Sequence, residues 1–412
     1  MKRIGINSLW LLLARVLTQG LYVVFIAIVA RNLGVKVFGQ FTILASIVYV
    51  GNVFTTYGVD VLLIRATARE GRITPLISTA LWLQIYLSLL WCAVFLLGSI
   101  PFLTPDLTAT LFLYNLSLLP LAFYTIFSSI LRAFERMDLF MGLNLFTALL
   151  QALGAAALAK TSDDLLILCF WLLITQILTA LLGALLCRRM IPSFSIQKKP
   201  AFADILELIR SGWRIALFAP LSLLSQRLNL FMLASFSGDV ATGWFSASSR
   251  LMEGLKVGHF AVTNSLMPSM SRPASPQQQT IYRFSLLGLL LTSLALAIII
   301  TFTAEMIIKA LYGSAFDQSI DVLKIIVWVL IPYTFSVYFS VTLIMRGAEG
   351  VVLNANLIGL VFAAVLYILL IPLFGVHGAA WGTLANETFQ AVILFLLSRR
   401  LSTTIKNVPG IS

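Results

Sequence analysis

The sequence predicts an all-α integral membrane protein: about twelve transmembrane helices in two pseudo-symmetric six-helix bundles around a central cavity. Three observations predict it. The 412 residues are 60% hydrophobic and only 11% charged, against about 25% charged in a soluble domain. Apolar runs of roughly 20 residues, the length that crosses a bilayer, recur along the chain. The 28 Lys and Arg residues gather at the ends of those runs, mostly at every second end.

The helices are expected at about 7–30, 38–63, 76–99, 108–131, 139–159, 165–187, 211–236, 241–268, 281–303, 322–345, 351–372 and 376–398. The first follows Met1-Lys2-Arg3 and runs to about Ala30. That is longer than the 7–15-residue apolar stretch of a signal peptide, so it reads as a retained membrane helix. Helices longer than ~20 residues can tilt. Pro120, Pro220 and Pro332 fall inside helices four, seven and ten, where they predict packing kinks or, alternatively, gating hinges. The longest polar break, 188–210, divides the chain into an N-terminal bundle (1–187), a solvated cytoplasmic linker (188–210) and a C-terminal bundle with a short tail (211–412). On this topology nineteen cations lie on the side of the termini, five on the other side and four inside helices. That bias puts both termini in the cytoplasm.

The composition also excludes functions. The net charge of +12 is scattered at helix ends rather than clustered on a polar domain, which argues against nucleic acid. Cys92, Cys169 and Cys187 are odd in number and lack ligand spacing, and only His259 and His377 complete the set of soft donors. Neither a disulfide framework nor a metal site is expected. No Walker motif is present, so ATP is not the direct energy source. No outer loop is long enough for a catalytic domain.

Two internal echoes relate the halves. ARNLGVKVFGQF (30–41) and ASFSGDVATGWF (234–245) align Gly34, Gly39 and Phe41 with Gly238, Gly243 and Phe245 at a constant spacing of 204. Each segment joins the first and second helix of its half. Arg132-x-x-Glu135 is echoed by Arg346-x-x-Glu349, each after the fourth helix of its half. Such a repeat, with both halves starting on one side, is related by an axis along the membrane normal.

Charges at membrane depth cost a few kcal/mol each and face a cavity or a partner. Four cations qualify: Arg15, Arg227, Arg250 and Lys256. Two acids share their depth, Glu253 and Glu387. Glu253 stands three residues from both Arg250 and Lys256, so it can pair with either along the helix. Glu387, at the centre of helix twelve, needs a partner, a proton or water. The plainer alternatives are that Arg15 snorkels to the interface over ~12 Å and that Arg250, Glu253 and Lys256 only knot helices together. His259, one turn beyond Lys256, reads as packing. The excess of buried positive charge fits an anionic substrate, and guanidinium geometry makes phosphate or pyrophosphate the attractive ligand.

The chain resembles the polysaccharide flippase family, of the O-antigen type, within the multidrug/oligosaccharidyl-lipid/polysaccharide exporter superfamily. ARNLGVKVFGQFTILASI looks like the family's helix one–two joint, ARxLGPxxFGxY, and RAFERMDLF (132–140) like its loop after helix four. LYGSAFDQSIDVLKII (311–326) and LLIPLFGVHGAAWGTLANE (369–387) are similar to LYGxxYxxAxxVLxIL and LIPxxGxxGAAxAT. The resemblance runs in order along nearly the whole chain. It implies a flippase that carries a polyprenyl-pyrophosphate-linked (undecaprenyl) oligosaccharide from the inner to the outer leaflet of the bacterial plasma membrane by alternating access. Partners implied are the lipid bilayer, a polysaccharide polymerase and export machinery. No cofactor is implied, and a proton or sodium gradient is the candidate energy source. In superfamily lipid flippases helices one, two, seven and eight line a cationic cavity, and Arg15, Arg227, Arg250 and Lys256 fall on three of these. The chain departs from the pattern where SQRLNLFML places Asn229 at the Asp of SRxDxxLL, and where Val35 replaces Pro. Glu253 or Glu387 is then the candidate for ion coupling.

The nearest rival is a drug exporter of the same superfamily. Those take organic cations with an acid on helix one, whereas here helix one carries Arg15 and the first acid is Asp60 on helix two. A membrane-embedded polymerase would need a large catalytic loop or clustered acids and histidines.

Overall fold

The computed structural model describes residues 2–70, 76–99, 104–161, 164–190, 200–270, 276–345 and 347–406. Within these, the side chains of 2–16, 65, 67–70, 211–219, 221–222, 257, 259–270, 276–283 and 400–406 lie outside the description. The described residues form helices and turns and no strand. The helices are α1 (Lys2–Thr56), α2 (Val59–Glu70), α3 (Leu76–Ser99), α4 (Pro105–Asn115), α5 (Leu118–Ala133), α6 (Met137–Leu158), α7 (Leu165–Met190), α8 (Phe202–Met270), α9 (Pro276–Tyr312), α10 (Gln318–Ile326), α11 (Leu330–Met345) and α12 (Glu349–Lys406).

Three of these helices are two passes joined by one glycine. α1 breaks at Gly34 (φ 75°, ψ 171°), α8 at Gly238 (φ 78°, ψ −174°) and α12 at Gly375 (φ 55°, ψ −127°). With α2 continuing the second pass of α1, α4 and α5 forming one broken pass, and α10 and α11 another, the described helices give the twelve passes expected. Gly34 and Gly238 share nearly one backbone conformation, in a region that only glycine adopts without strain. Space does not demand glycine there, since a Cβ would meet nothing within 4 Å at either position. Gly39 and Gly243 are buried just beyond, and Phe41 and Phe245 are buried with them.

The second echo is real, but its register differs from the sequence match. After α5 the Arg136 amide donates to the Leu131 carbonyl and the Glu135 amide to Arg132. After α11 the Ala348 amide donates to Leu343 and the Gly347 amide to Ile344. Both are Schellman turns with one left-handed residue, Glu135 (φ 56°) and Gly347 (φ 74°). The equivalent residues are therefore Glu135 and Gly347, not Glu135 and Glu349. The charged residues match at a spacing of 214 and the turns at 212, because the backbone hydrogen bonds, not the exposed side chains, define the joint. Arg346 lies outside the described residues.

The chain divides into two compact units, Met1–Leu224 and Ser225–Ser412. The core of the first gathers Leu63, Leu83, Ile126, Ile130 and Leu143. It also takes in Ile205 and Leu208, from the stretch read as a solvated linker. That stretch is helical from Phe202. Ile205, Leu208 and Ile209 recur at helical spacing on one face, and the Tyr57 hydroxyl donates to the Ile209 carbonyl at 3.1 Å. In the second unit Leu343, Val352, Ala355 and Leu394 form the equivalent cluster.

Eight helical stretches among the described residues are long and apolar enough to cross a bilayer. Their outer faces carry exposed Leu97, Phe302 and Leu373, while small and hydroxyl residues fill the seams, as membrane helix packing favours. Thr147 and Thr179 hydrogen-bond at 2.9 Å between α6 and α7. Ser293 and Thr334 do so at 2.8 Å between α9 and α11.

Candidate functional site

The charged residues expected at membrane depth meet in the second unit. Gly238 turns α8 back on itself, which returns Glu253 to the level of Arg227. Each oxygen of the Glu253 carboxylate then takes one guanidinium: Arg227 Nη1 at 2.6 Å on Oε1 and Arg250 Nη1 at 3.0 Å on Oε2. The Arg250 bond is the helical i,i+3 pairing that the sequence allows. The Arg227 bond crosses between passes.

Lys256 does not pair with Glu253. It lies two turns beyond Arg250 and faces α12, where Glu387 Oε2 stands 3.7 Å from Nζ. The same ammonium sits 4.5 Å from the centroid of the Tyr333 ring, a cation–π contact. Tyr333 follows Pro332 just past a tight turn, Val327–Val329, in the tenth pass. The two parts of the site differ in access. The Arg227 and Arg250 side chains are 13% and 9% exposed, whereas Glu253 is 38% exposed. Lys256 is intermediate at 27%.

One turn from Glu387, a neutral string links three passes. Asn229 Nδ2 donates to Thr383 Oγ1 at 3.2 Å, and the Tyr367 hydroxyl lies 3.3 Å from the same oxygen. Thr383 donates onward to the Ala379 carbonyl at 2.7 Å, and Asn229 Oδ1 accepts from the Leu230 amide at 2.7 Å. Beside them Asn386 Oδ1 is buried without a hydrogen-bond partner. Among the described residues, three cations, two carboxylates and a hydroxyl–amide string thus share one lobe. The arrangement can hold an anion on the cations if a carboxylate yields its place, by taking a proton or by swinging toward solvent.

Arg15 lies outside the described side chains, as does His259. Gly34, Gly39, Gly238 and Gly243 sit at the two inter-pass joints and not in the charged cluster. Arg132 and Glu135 belong to the joint after α5, where Arg132 reaches Asp60 at 3.6 Å and lies over the Phe140 ring at 5.5 Å. Sequence reasoning missed Tyr333, Tyr367 and Thr383. The one local signal was Tyr333 next to Pro332. Thr383 stands one turn before Glu387, which becomes informative only once Asn229 is opposite it. Among the described residues no three His, Cys, Asp or Glu side chains converge as metal ligands.

The family model described as "Polysaccharide biosynthesis protein" matches residues 4–273. Solved structures share the fold at low identity. An inward-facing multidrug resistance MATE family transporter of the MOP superfamily matches with a TM-score of 0.72 and 16% identity, over 95% of this chain and 96% of its own. The lipid II flippase MurJ, inward closed, matches with a TM-score of 0.72 and 14% identity, over 96% and 87%. A MOP superfamily transporter from Pyrococcus furiosus, described as having a binding pocket of reverse polarity, matches at 0.66 and 14%, over 98% and 96%. No curated protein matches in sequence.

Proposed function

Since the chain belongs to the polysaccharide biosynthesis protein family and is a multi-pass membrane protein with the MOP transporter fold, we propose that it is a lipid-linked oligosaccharide flippase. The substrate is a polyprenyl-pyrophosphate-linked oligosaccharide. It moves from the inner to the outer leaflet of the bacterial plasma membrane by alternating access of the two six-helix halves, with both termini in the cytoplasm. A polysaccharide polymerase and export machinery act on the product. The observation that carries this reading is the cationic cluster of Arg227, Arg250 and Lys256, held by only two carboxylates. Arg15 is the candidate fourth cation.

In this scheme pyrophosphate displaces Glu253 from the two guanidinium groups and shares Lys256 with Glu387. A proton taken up by either acid would favour the exchange, so a proton gradient is the driving force most easily coupled to it. Asn229 is neutral and engaged with Thr383, so the exchange falls to the two glutamates.

The test is a deletion in the native host with lipid-linked sugar intermediates quantified on each leaflet. Complete oligosaccharide-lipid should accumulate on the cytoplasmic face, and the surface polymer should be lost. Normal transfer with unpolymerised repeats would instead assign a polymerase. No change in either would favour a drug exporter of the same superfamily. Full complementation by Arg250→Ala at normal protein levels would remove the cluster from the mechanism.

A further inference from the structure

The fourth and tenth passes break at the same place, and only one of the two breaks is polar. In the first unit α4 ends at Asn115 and α5 starts at Leu118, two residues before Pro120. In the second unit the tight turn Val327–Val329 precedes Leu330, two residues before Pro332. The spacing is 212, the same as between the Schellman turns that end the two passes. In this register Asn115 corresponds to Val327 and Ser117 to Val329. All four are buried. The fold therefore makes this break with valine at both positions, and nothing in the backbone calls for an amide and a hydroxyl.

Yet Asn115 Nδ2, Asn115 Oδ1 and Ser117 Oγ are buried without a hydrogen-bond partner. The break adds backbone acceptors beside them. The Ser117 amide donates to Tyr114 and the Leu119 amide to Leu116, in the tighter spacing that a proline imposes upstream. The carbonyls of Leu113 and Asn115, which those amides would reach in an α-helix, lose their usual donors. The facing third pass contributes Ser88, whose hydroxyl reaches the Leu118 carbonyl only at 3.5 Å. In the second unit Ser293 of the ninth pass and Thr334 of the tenth hydrogen-bond to each other, and the unpaired Ser336 hydroxyl lies two turns beyond the break.

We propose that Asn115 and Ser117 hold ordered water at the break of the fourth pass. Unpaired donors and unpaired acceptors stand side by side, and the ligand must be both. Water is. A bare cation would leave the Asn115 amide N–H group unsatisfied, and no carboxylate stands among these residues. Bound water replaces the missing backbone donors and lets the first unit bend at Asn115–Ser117 more easily than the dry break of the second unit. The inference rests on the first unit alone and does not depend on the substrate proposed above.

The experiment is radiolytic hydroxyl labelling of the full chain in lipid nanodiscs, read by mass spectrometry, with brief mixing into oxygen-18 water. Water held in place should label Leu118, at the break, several-fold faster than Leu330, its equally buried counterpart in the second unit. The oxygen incorporated should lag behind bulk exchange. The paired substitution Asn115→Val with Ser117→Val, copying the second unit, should abolish the excess labelling, whereas Ser117→Thr should keep it. Equal labelling of Leu118 and Leu330 in the unmodified protein would overturn the proposal without any variant. Sodium-dependent thermal stabilisation, absent in choline and abolished by Asn115→Val, would overturn it in favour of a cation site.

Discussion

Replacing Glu253 by Gln removes one negative charge from between two guanidinium groups and leaves the side chain's shape. The carboxylate is 2.6 Å from Arg227 and 3.0 Å from Arg250. At an effective dielectric near 20, each pair of charges about 4 Å apart interacts by roughly 4 kcal/mol, so the gross loss is about 8 kcal/mol. Much of that is offset, because the amide no longer suffers the carboxylate's desolvation. Removing one partner of a buried pair costs about 3–5 kcal/mol net. Glu253 is 38% exposed, and screening brings the expectation to ~2–3 kcal/mol. The assay is a double-mutant cycle with Arg227→Gln, following unfolding of the protein in mild detergent. Glu253→Gln alone should destabilise by the stated amount, and the double variant should recover about 1–2 kcal/mol of the summed losses. If the two losses add to within about 0.5 kcal/mol, Glu253 does not neutralise Arg227, and the exchange of carboxylate for pyrophosphate loses its basis.

Gly238→Ala forces a side chain into a glycine-only conformation and should cost about 1–3 kcal/mol, read as a lower midpoint of thermal unfolding. An unchanged midpoint would mean that the α8 break does not hold this geometry. Glu135→Gly should stabilise by about 0.5–1 kcal/mol, since Gly347 occupies the same turn in the second unit and a left-handed Glu is strained. A loss instead would show that the Glu135 side chain does more than its strain takes away. Asp164 caps the loop before α7: the amides of Lys160 and Thr161 donate to its carboxylate at 2.9 and 2.8 Å and hold it below the usual carboxylate range. A depressed carboxylate supports its loop above the unfolded pKa, and that support is lost as pH falls through the folded one. Amide protection at Thr161 should therefore persist at mildly acidic pH and disappear at neutral pH in Asp164→Asn.

The passes and their joints were legible in the sequence because their causes are local. An apolar run of bilayer length must satisfy its backbone internally, so it forms a helix wherever it occurs. A lone glycine in the middle of a long helical run marks the residue that can leave helical dihedrals, as at Gly34 and Gly238. That Arg227, Arg250, Lys256, Glu253 and Glu387 meet charged partners was legible too, from the cost of a bare charge in an apolar helix. Which partner each takes was not. Spacing on α8 offered Glu253 either Arg250 or Lys256, and the fold gave it Arg250 and Arg227 while sending Lys256 to Glu387 and Tyr333. The same limit misplaced the second repeat by two residues, since the match followed exposed charges and the joint is set by backbone hydrogen bonds. It hid the amphipathic start of α8, whose Ile205 and Leu208 look like linker until the first unit's core is there to receive them. Depth and helicity depend on residues within one turn or one bilayer thickness. Pairing depends on which faces of separate helices are brought together, and only the packed structure decides that.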